Sequence, residues 1–193
     1  MNILTFDVET THRPKPNGGY TPLPYFGNQL VSIGYKSFTQ HPRVHSAGVE
    51  EDGYLCFYHE EREPTEGGFE EFQGVLDRAD VVVGHNVKFD LNWIREANFK
   101  YDGPVYDTMV AEYLLARARK WSLSLEALAK RYEVAEKKAD LTKDYLKDGK
   151  TFAQIPWDIV EEYGIADVEA TWQVAEKQVH EKYGTTWGEL YGS

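Results

Sequence analysis

The opening strand constrains the fold of this chain more than any other stretch. In residues 2–9 the even positions from Leu4 to Val8 are apolar, whereas Asp7 and Glu9 fall on the opposite face of a period-two pattern. Two carboxylates held that close repel each other unless a cation lies between them, and carboxylate oxygens suit Mg2+ or Mn2+. The stretch therefore predicts a strand that ends either in a metal site or in two solvated acids.

Length and composition are those of one domain with a sizeable core. The 193 residues fit a single domain spanning 1–193. No apolar run reaches the roughly 20 residues that a membrane helix needs, and the N-terminus begins with the strand and not with a signal peptide. A lone cysteine, Cys56, excludes an internal disulfide and a cysteine-based zinc site. We expect a cytoplasmic protein, in the host cytoplasm if viral, with no membrane partner.

The charge distribution argues against binding nucleic acid by bulk electrostatics, because the formal net charge is −11. Basic residues are concentrated in the middle of the chain: residues 81–150 carry 13 basic and 11 acidic side chains, whereas residues 1–80 carry 6 and 13. This central stretch is either a solvated helical surface or a local contact with phosphates.

A loop rich in proline and glycine follows the first strand over residues 10–27. Its composition excludes a helix or an interior strand, and loops of this length are usually functional or disordered. The side chains suited to phosphates and base faces are His12, Arg13, Lys15, Tyr20, Tyr25 and Phe26. Substrate contact is one interpretation of this loop.

The remaining pattern predicts an α/β fold with a mixed sheet. Strands at 29–38 and 54–59 form an antiparallel meander with the first strand, and residues 81–84 form a short buried strand. Further elements are predicted as a strand at 105–108, helices at 67–79, 107–118, 123–132 and 157–182, and a flexible connection at 133–151.

Two positions on the predicted helices carry further candidate acids. Asn86 is the predicted N-cap of a helix reaching about residue 97, which places Asp90 in or near its first turn, where the helix dipole favours a carboxylate. On the last helix, Tyr163 and Asp167 are four residues apart and share a face. Asp107 is interpreted as a helix cap. A structural acid near a helix start and a buried Tyr-Asp hydrogen bond are the plainer alternatives.

Taken in order, these motifs resemble the DEDD superfamily of 3′-to-5′ exonucleases, whose fold is the ribonuclease H-like mixed sheet flanked by helices. Tyr163 places the chain with the tyrosine (DEDDy) subgroup, and the likeness is greatest to the proofreading domains of family A DNA polymerases. The segments that carry it are Gly-His-Asn-Val-Lys-Phe-Asp at 84–90, Tyr-Asp-Thr-Met at 106–109, Ser-Leu-Glu-Ala-Leu-Ala at 124–129, and Tyr-Gly-Ile-Ala-Asp-Val-Glu-Ala-Thr at 163–171.

The resemblance implies a role for each site residue. Asp7, Glu9 and Asp167 hold one of two divalent ions, Mg2+ or Mn2+, and Asp7 with Asp90 positions the second. Tyr163 orients the nucleophilic water and is not a full base at neutral pH, because a tyrosine pKa is near 10. Four residues are expected to place the terminal nucleotide: Thr10, Thr11, Asn86 and Phe89.

The resemblance implies a metal-dependent 3′-5′ exodeoxyribonuclease that acts on single-stranded or frayed DNA 3′ ends and releases nucleoside 5′-monophosphates. It leaves open a proofreading role for a DNA polymerase on a separate chain. Two alternatives remain at this point. One is a ribonuclease D-like exoribonuclease, and the other is a non-catalytic subunit that binds a polymerase or a DNA end.

Overall fold

A five-stranded mixed sheet forms the centre of the protein. The computed structural model describes residues 1–39, 48–117, 119–134 and 140–191. The strands of the sheet are β1 (Asn2–Thr10), β4 (Leu30–Thr39), β5 (Gly48–Cys56), β6 (Val81–Gly84) and β7 (Val105–Asp107), and a separate two-stranded ladder joins β2 (Arg13–Pro14) to β3 (Tyr20–Thr21). The sheet order is β5-β4-β1-β6-β7, with β4 antiparallel to both neighbours and β1, β6 and β7 parallel.

The central position of β1 follows from its two apolar faces. Leu4, Phe6 and Val8 enter one core cluster, whereas Ile3 enters a second cluster on the opposite face. Both faces of the strand are therefore covered, as is usual for a strand with a parallel neighbour. The predicted meander and mixed sheet are confirmed.

Helices cover both faces of this sheet. They are α1 (Gly68–Arg78), α2 (Lys88–Glu96), α3 (Thr108–Ala116), α4 (Leu125–Tyr132), α5 (Asp140–Lys147), α6 (Trp157–Glu176) and α7 (Trp187–Tyr191). α1 and α2 supply side chains to the cluster of Leu4, and α6 supplies Trp172 and Ala175 to the cluster of Ile3. Within the described ranges, no helix combines the length and the apolar character needed to cross a bilayer.

A buried carboxylate connects three helical segments. Glu112 on α3 is 1 % exposed and accepts hydrogen bonds from Arg131 Nη1 at 2.6 Å, Tyr132 Oη at 2.5 Å and Gln178 Nε2 at 3.1 Å. Arg131 and Tyr132 lie at the end of α4, and Gln178 lies in the π-helical turn Lys177–Lys182 that follows α6. A buried charge is stable only when it is paired and hydrogen-bonded in this way.

Several predicted boundaries are wrong. The third strand begins at Gly48 and ends at Cys56, not at 54 and 59, and the predicted helix at 157–182 becomes the π-helical turn after Glu176. The connection predicted at 133–151 contains α5, which packs against α6. Ala118 and residues 135–139, which belong to the predicted helix 107–118 and to that connection, lie outside the described residues.

Asn86 is not the N-cap of α2. It has a left-handed backbone with φ of 56°, and Val87 occupies the cap position. The reason is Asp107, whose carboxylate accepts the N–H groups of Asn86 and Val87 at 3.0 and 3.2 Å. The same carboxylate caps α3 by accepting the N–H of Met109 at 2.9 Å, so the predicted cap role of Asp107 is confirmed.

Candidate active site

Three carboxylates from the two ends of the chain meet beside the end of β1. One oxygen from each of Asp7, Glu9 and Asp167 lies within 4.8 Å of the other two. Glu9 is 8 % exposed and Asp167 is 4 % exposed, so water screens their mutual repulsion poorly. Three hard oxygen donors in this arrangement fit a divalent cation such as Mg2+.

Helix α6 supplies both Asp167 and Tyr163, as the four-residue spacing predicts. Tyr163 is 8 % exposed, and its hydroxyl hydrogen-bonds to the carboxylate of Asp167. Burial raises the pKa of Tyr163 well above its ordinary value, and the negative charges of Glu9, Asp167 and Asp7 raise that pKa further. The phenol is therefore protonated at neutral pH and serves as a hydrogen-bond donor.

Asp90 approaches the same end of β1 from α2. Its Oδ1 accepts the backbone N–H of Val8 at 3.1 Å, and the residue is 3 % exposed. Burial raises the pKa of Asp90 well above its usual range, and the charge of Asp7 adds to that effect. Among the residues that the structure describes, Asp90 is not a member of the three-carboxylate group.

The four residues predicted to hold the terminal nucleotide lie close to Glu9 or Asp90 in the sequence and differ in exposure. Thr10 is 5 % exposed and follows Glu9 at a register shift in the pairing of β1 with β4. Thr11 is used internally, because its hydroxyl accepts the N–H of Gln29 at 2.8 Å. Asn86 is exposed and Phe89 is half-buried on α2.

Tyr54 on β5 was missed by the sequence analysis, although it spaces α6 from the sheet. Its hydroxyl donates to the carbonyl of Val160 on α6 at 3.0 Å and lies 2.8 Å from Ser32 Oγ. Its ring occupies space beside two glycines: a Cβ at Gly34 would lie 2.9 Å from the ring, and one at Gly164 would lie 2.3 Å from the hydroxyl.

The sequence signal for this packing role of Tyr54 is the pair of glycines, Gly34 and Gly164. Glycine is disfavoured inside both strands and helices unless another group needs the space. Gly34 pairs with Asp7 in the sheet, and Gly164 follows Tyr163 directly. The Tyr54 ring therefore lies between Gly34 on β4 and Gly164 on the helix that carries Tyr163.

We expect Tyr54→Phe to lower the free energy of unfolding by about 1–2 kcal/mol. The change removes two hydrogen bonds of the Tyr54 hydroxyl, one to the Val160 carbonyl and one with Ser32 Oγ. Urea unfolding followed by tryptophan fluorescence measures the change. Tyr58→Phe, at a tyrosine that is 41 % exposed, is the matched control and should have almost no effect. Equal losses in the two variants would show that the hydroxyl bonds of Tyr54 do not stabilise the contact between α6 and the sheet.

Comparison with known proteins gives matches to exonuclease and DNA polymerase sequences. A family model described as 3′-5′ exonuclease matches residues 52–180, a segment that contains Asp90, Tyr163 and Asp167 but begins after β1. The DNA polymerase of Bacillus phage SP01 is 29% identical over 153 residues, which are 73% of this chain and 17% of that polymerase. DNA polymerase I of Borreliella burgdorferi is 27% identical over 105 residues, 54% of this chain and 11% of that protein. The chain thus spans less than a fifth of the length of either polymerase.

Solved structures share the fold at low sequence identity. A nuclease in its apo form has a TM-score of 0.58 at 16% identity, covering 91% of this chain and 70% of that one. Brucella melitensis NrnC with bound Mg2+ has a TM-score of 0.51 at 16% identity, covering 94% and 75%. The predicted fold is confirmed by these nuclease neighbours. The family model matches well over half of the residues of this chain, and the chain therefore belongs to the 3′-5′ exonuclease domain family of family A DNA polymerases.

Proposed function

We propose that this protein is a metal-dependent 3′-5′ exodeoxyribonuclease of the tyrosine (DEDDy) subgroup. It removes nucleoside 5′-monophosphates from single-stranded or frayed DNA 3′ ends, and residues 1–193 act as one domain. The observation that carries the proposal is the cluster of Asp7, Glu9 and Asp167 within 4.8 Å, with Tyr163 hydrogen-bonded to one of the three acids.

The carboxylates hold the metal ions in this proposal. Asp7, Glu9 and Asp167 hold one divalent ion, and Asp90 with Asp7 holds a second, either Mg2+ or Mn2+. When bound, a pair of such ions supplies a water nucleophile at neutral pH and stabilises the departing 3′ oxygen. The negative charge of the four acids repels a phosphodiester, and bound cations would offset that charge.

Tyr163 orients the attacking water and does not remove its proton. Its hydroxyl stays protonated because burial and three neighbouring carboxylates raise its pKa. The hydroxyl therefore positions the water by a hydrogen bond and does not act as a general base. Asp90 is held beside β1 because its Oδ1 accepts the N–H of Val8.

The terminal nucleotide is placed by the residues around the acids. Asn86 presents its side chain to solvent from a left-handed backbone fixed by Asp107, and Phe89 offers a half-buried ring on the next turn. Thr10 contributes from the end of β1, and Thr11 contributes from the next position along the chain.

Preference for DNA and a proofreading role are supported by the relatives, which are DNA polymerases. The exonuclease then acts on 3′ ends made by a polymerase domain, whether that domain is on a separate chain or on the same one. The concentration of carboxylates argues against a pure binding subunit, because a module that only grips an anionic strand gains nothing from them.

The test is degradation of 5′-labelled single-stranded DNA and RNA of matched sequence in Mg2+ or Mn2+. We expect stepwise shortening of DNA from the 3′ end, with RNA cleaved more slowly and with Asp7→Ala inactive on both. Faster trimming of RNA would replace the deoxyribonuclease proposal by an exoribonuclease. If neither strand is shortened by the natural protein, the site does not catalyse hydrolysis and the proposal is wrong.

A further inference from the structure

Residues 12–27, which we name the arm, project from the edge of the sheet that carries the acids. The arm leaves β1 shortly after Glu9 and returns to the sheet at Leu30, which pairs with Thr10. It also reaches α2, because Trp93 Nε1 donates to the carbonyl of Pro22 at 3.0 Å. Since Trp93 lies one turn beyond Asp90, the arm is attached to β1 and α2, two of the three elements that carry the site acids.

The arm has a defined internal structure. β2 and β3 pair within it, and the buried Asn28 at its base donates to the carbonyls of Thr21 and Leu23 at 2.7 and 2.8 Å. His12 and Tyr20 pack edge to face with ring centres 4.9 Å apart. A surface on a structured arm binds a ligand with a small ordering cost.

The outer surface of the arm is unusually apolar for its exposure. Tyr25 is 71 % exposed, Tyr20 is 58 % exposed, Phe26 is 46 % exposed and Leu23 is 38 % exposed. The internal hydrogen bonds of the arm fix its backbone conformation. The arm is therefore ordered without burial of these side chains in the core. Exposed aromatic faces are suited to stacking against unpaired bases.

The charge of the arm complements a polyanion, although the protein as a whole carries a formal net charge of −11. Residues 10–49 contain no Asp or Glu, although the chain has 32 of them. Arg13 and Lys15 are exposed, and a Cβ at Gly27 would lie 3.7 Å from the Arg13 guanidinium carbon. A cationic group therefore lies beside the turn Pro24–Phe26 that carries Tyr25 and Phe26.

We propose that the arm binds the nucleotides upstream of the cleaved bond in a single-stranded nucleic acid. Tyr25 and Phe26 stack on unpaired bases, while Arg13 and Lys15 contact phosphates. Stacking requires unpaired bases, so the arm favours single strands over duplex. This inference rests on the proposed nuclease function, because the acids define where the 3′ end lies.

The first experiment measures fluorescence anisotropy of 5′-fluorescein-labelled 15-nucleotide DNA and RNA strands in Mg2+, with every protein in an Asp167→Asn background that prevents hydrolysis. We expect Tyr25→Ala/Phe26→Ala to weaken binding by about five-fold or more. Arg13→Ala/Lys15→Ala should weaken binding and make the slope of log affinity against log salt shallower by about one. Tyr113→Ala, at a tyrosine on α3 that is 63 % exposed, is the matched control and should bind normally.

The second experiment uses the arm variants with native Asp167 and a substrate that has no upstream nucleotides, thymidine 5′-(4-nitrophenyl phosphate). The variants should cleave it as the natural protein does, while kcat/KM on the 15-nucleotide strand falls. Unchanged strand affinity, or equal losses on both substrates, would overturn the arm proposal. A natural protein that cleaves neither substrate contradicts the nuclease proposal alone, since anisotropy still measures the arm.

Discussion

Asp167→Asn is expected to lower the turnover number kcat about a thousand-fold or more, which corresponds to about 4 kcal/mol of transition-state stabilisation. The change keeps the shape of the side chain and an acceptor for Tyr163, but it removes one of three charges gathered within 4.8 Å. Release of labelled mononucleotide from single-stranded DNA in excess Mg2+ measures the loss. Residual activity within ten-fold of the natural protein would contradict the ligand role of Asp167.

The same substitution separates metal binding from folding. In the natural protein, Mg2+ at a hundred times its dissociation constant should add about 2.7 kcal/mol to the free energy of unfolding, or roughly 5–10 °C in Tm. Asp167→Asn should largely lose this shift, yet unfold at the same or a higher temperature without metal, because one repelling charge is gone. Calorimetric scans with and without Mg2+ measure both.

The matched control lies two residues away on the same helix. Glu169 repeats the Asp-Val-Glu string of β1 but pairs with Lys36 at 2.5 Å, and its side chain is 31% exposed. A partly exposed ion pair contributes at most about 1 kcal/mol. Glu169→Gln should therefore keep nuclease activity within a few-fold and preserve the Mg2+-dependent rise in Tm. If Glu169→Gln loses activity and the Mg2+-dependent rise in Tm as Asp167→Asn does, the losses follow from the removal of any negative charge on α6 and not from the position of Asp167.

Glu112→Ala is expected to lower the free energy of unfolding by about 3–5 kcal/mol. It leaves Arg131 without its carboxylate and the buried Gln178 with an unpaired donor, and removing one partner of a buried ion pair is costly for that reason. Urea unfolding monitored by far-UV circular dichroism measures the change.

An exposed pair of the same chemistry is the control for Glu112. Arg78 and Glu51 are 2.5 Å apart, with side chains 56% and 39% exposed, so Glu51→Ala should cost no more than about 1 kcal/mol. A Glu112→Ala protein as stable as Glu51→Ala would show that the network joining α3 and α4 is not a support of the fold.

Local patterns predicted the parts of the site that depend on one element. The alternation in β1 placed Asp7 and Glu9 on one face, and the four-residue spacing placed Tyr163 and Asp167 on one side of α6. Their convergence was predicted only through the family resemblance, because periodicity within an element does not specify its neighbour in space. The structure brings Asp7, Glu9 and Asp167 together, and their roles in catalysis stay predictions.

The misses have a common physical origin in contacts distant along the chain. The local sequence around Asn86 is typical of a helix N-cap, but the carboxylate of Asp107 accepts hydrogen bonds from the N–H groups of Asn86 and Val87. α5 has too few apolar residues to be recognised alone, and it packs against α6. Tyr54 acts through Val160, 106 positions later. In each case the partner that decides the structure is absent from the local sequence window.

The carboxylate cluster also has a consequence for the order of folding. Asp7 and Asp167 are separated by nearly the whole described chain, and contacts of such separation form late because closing a long loop costs entropy before any contact is made. The backbone hydrogen bonds within helices α1, α2 and α4 join residues four apart and form without that closure. During refolding, far-UV circular dichroism should therefore recover before the capacity to bind Mg2+ does.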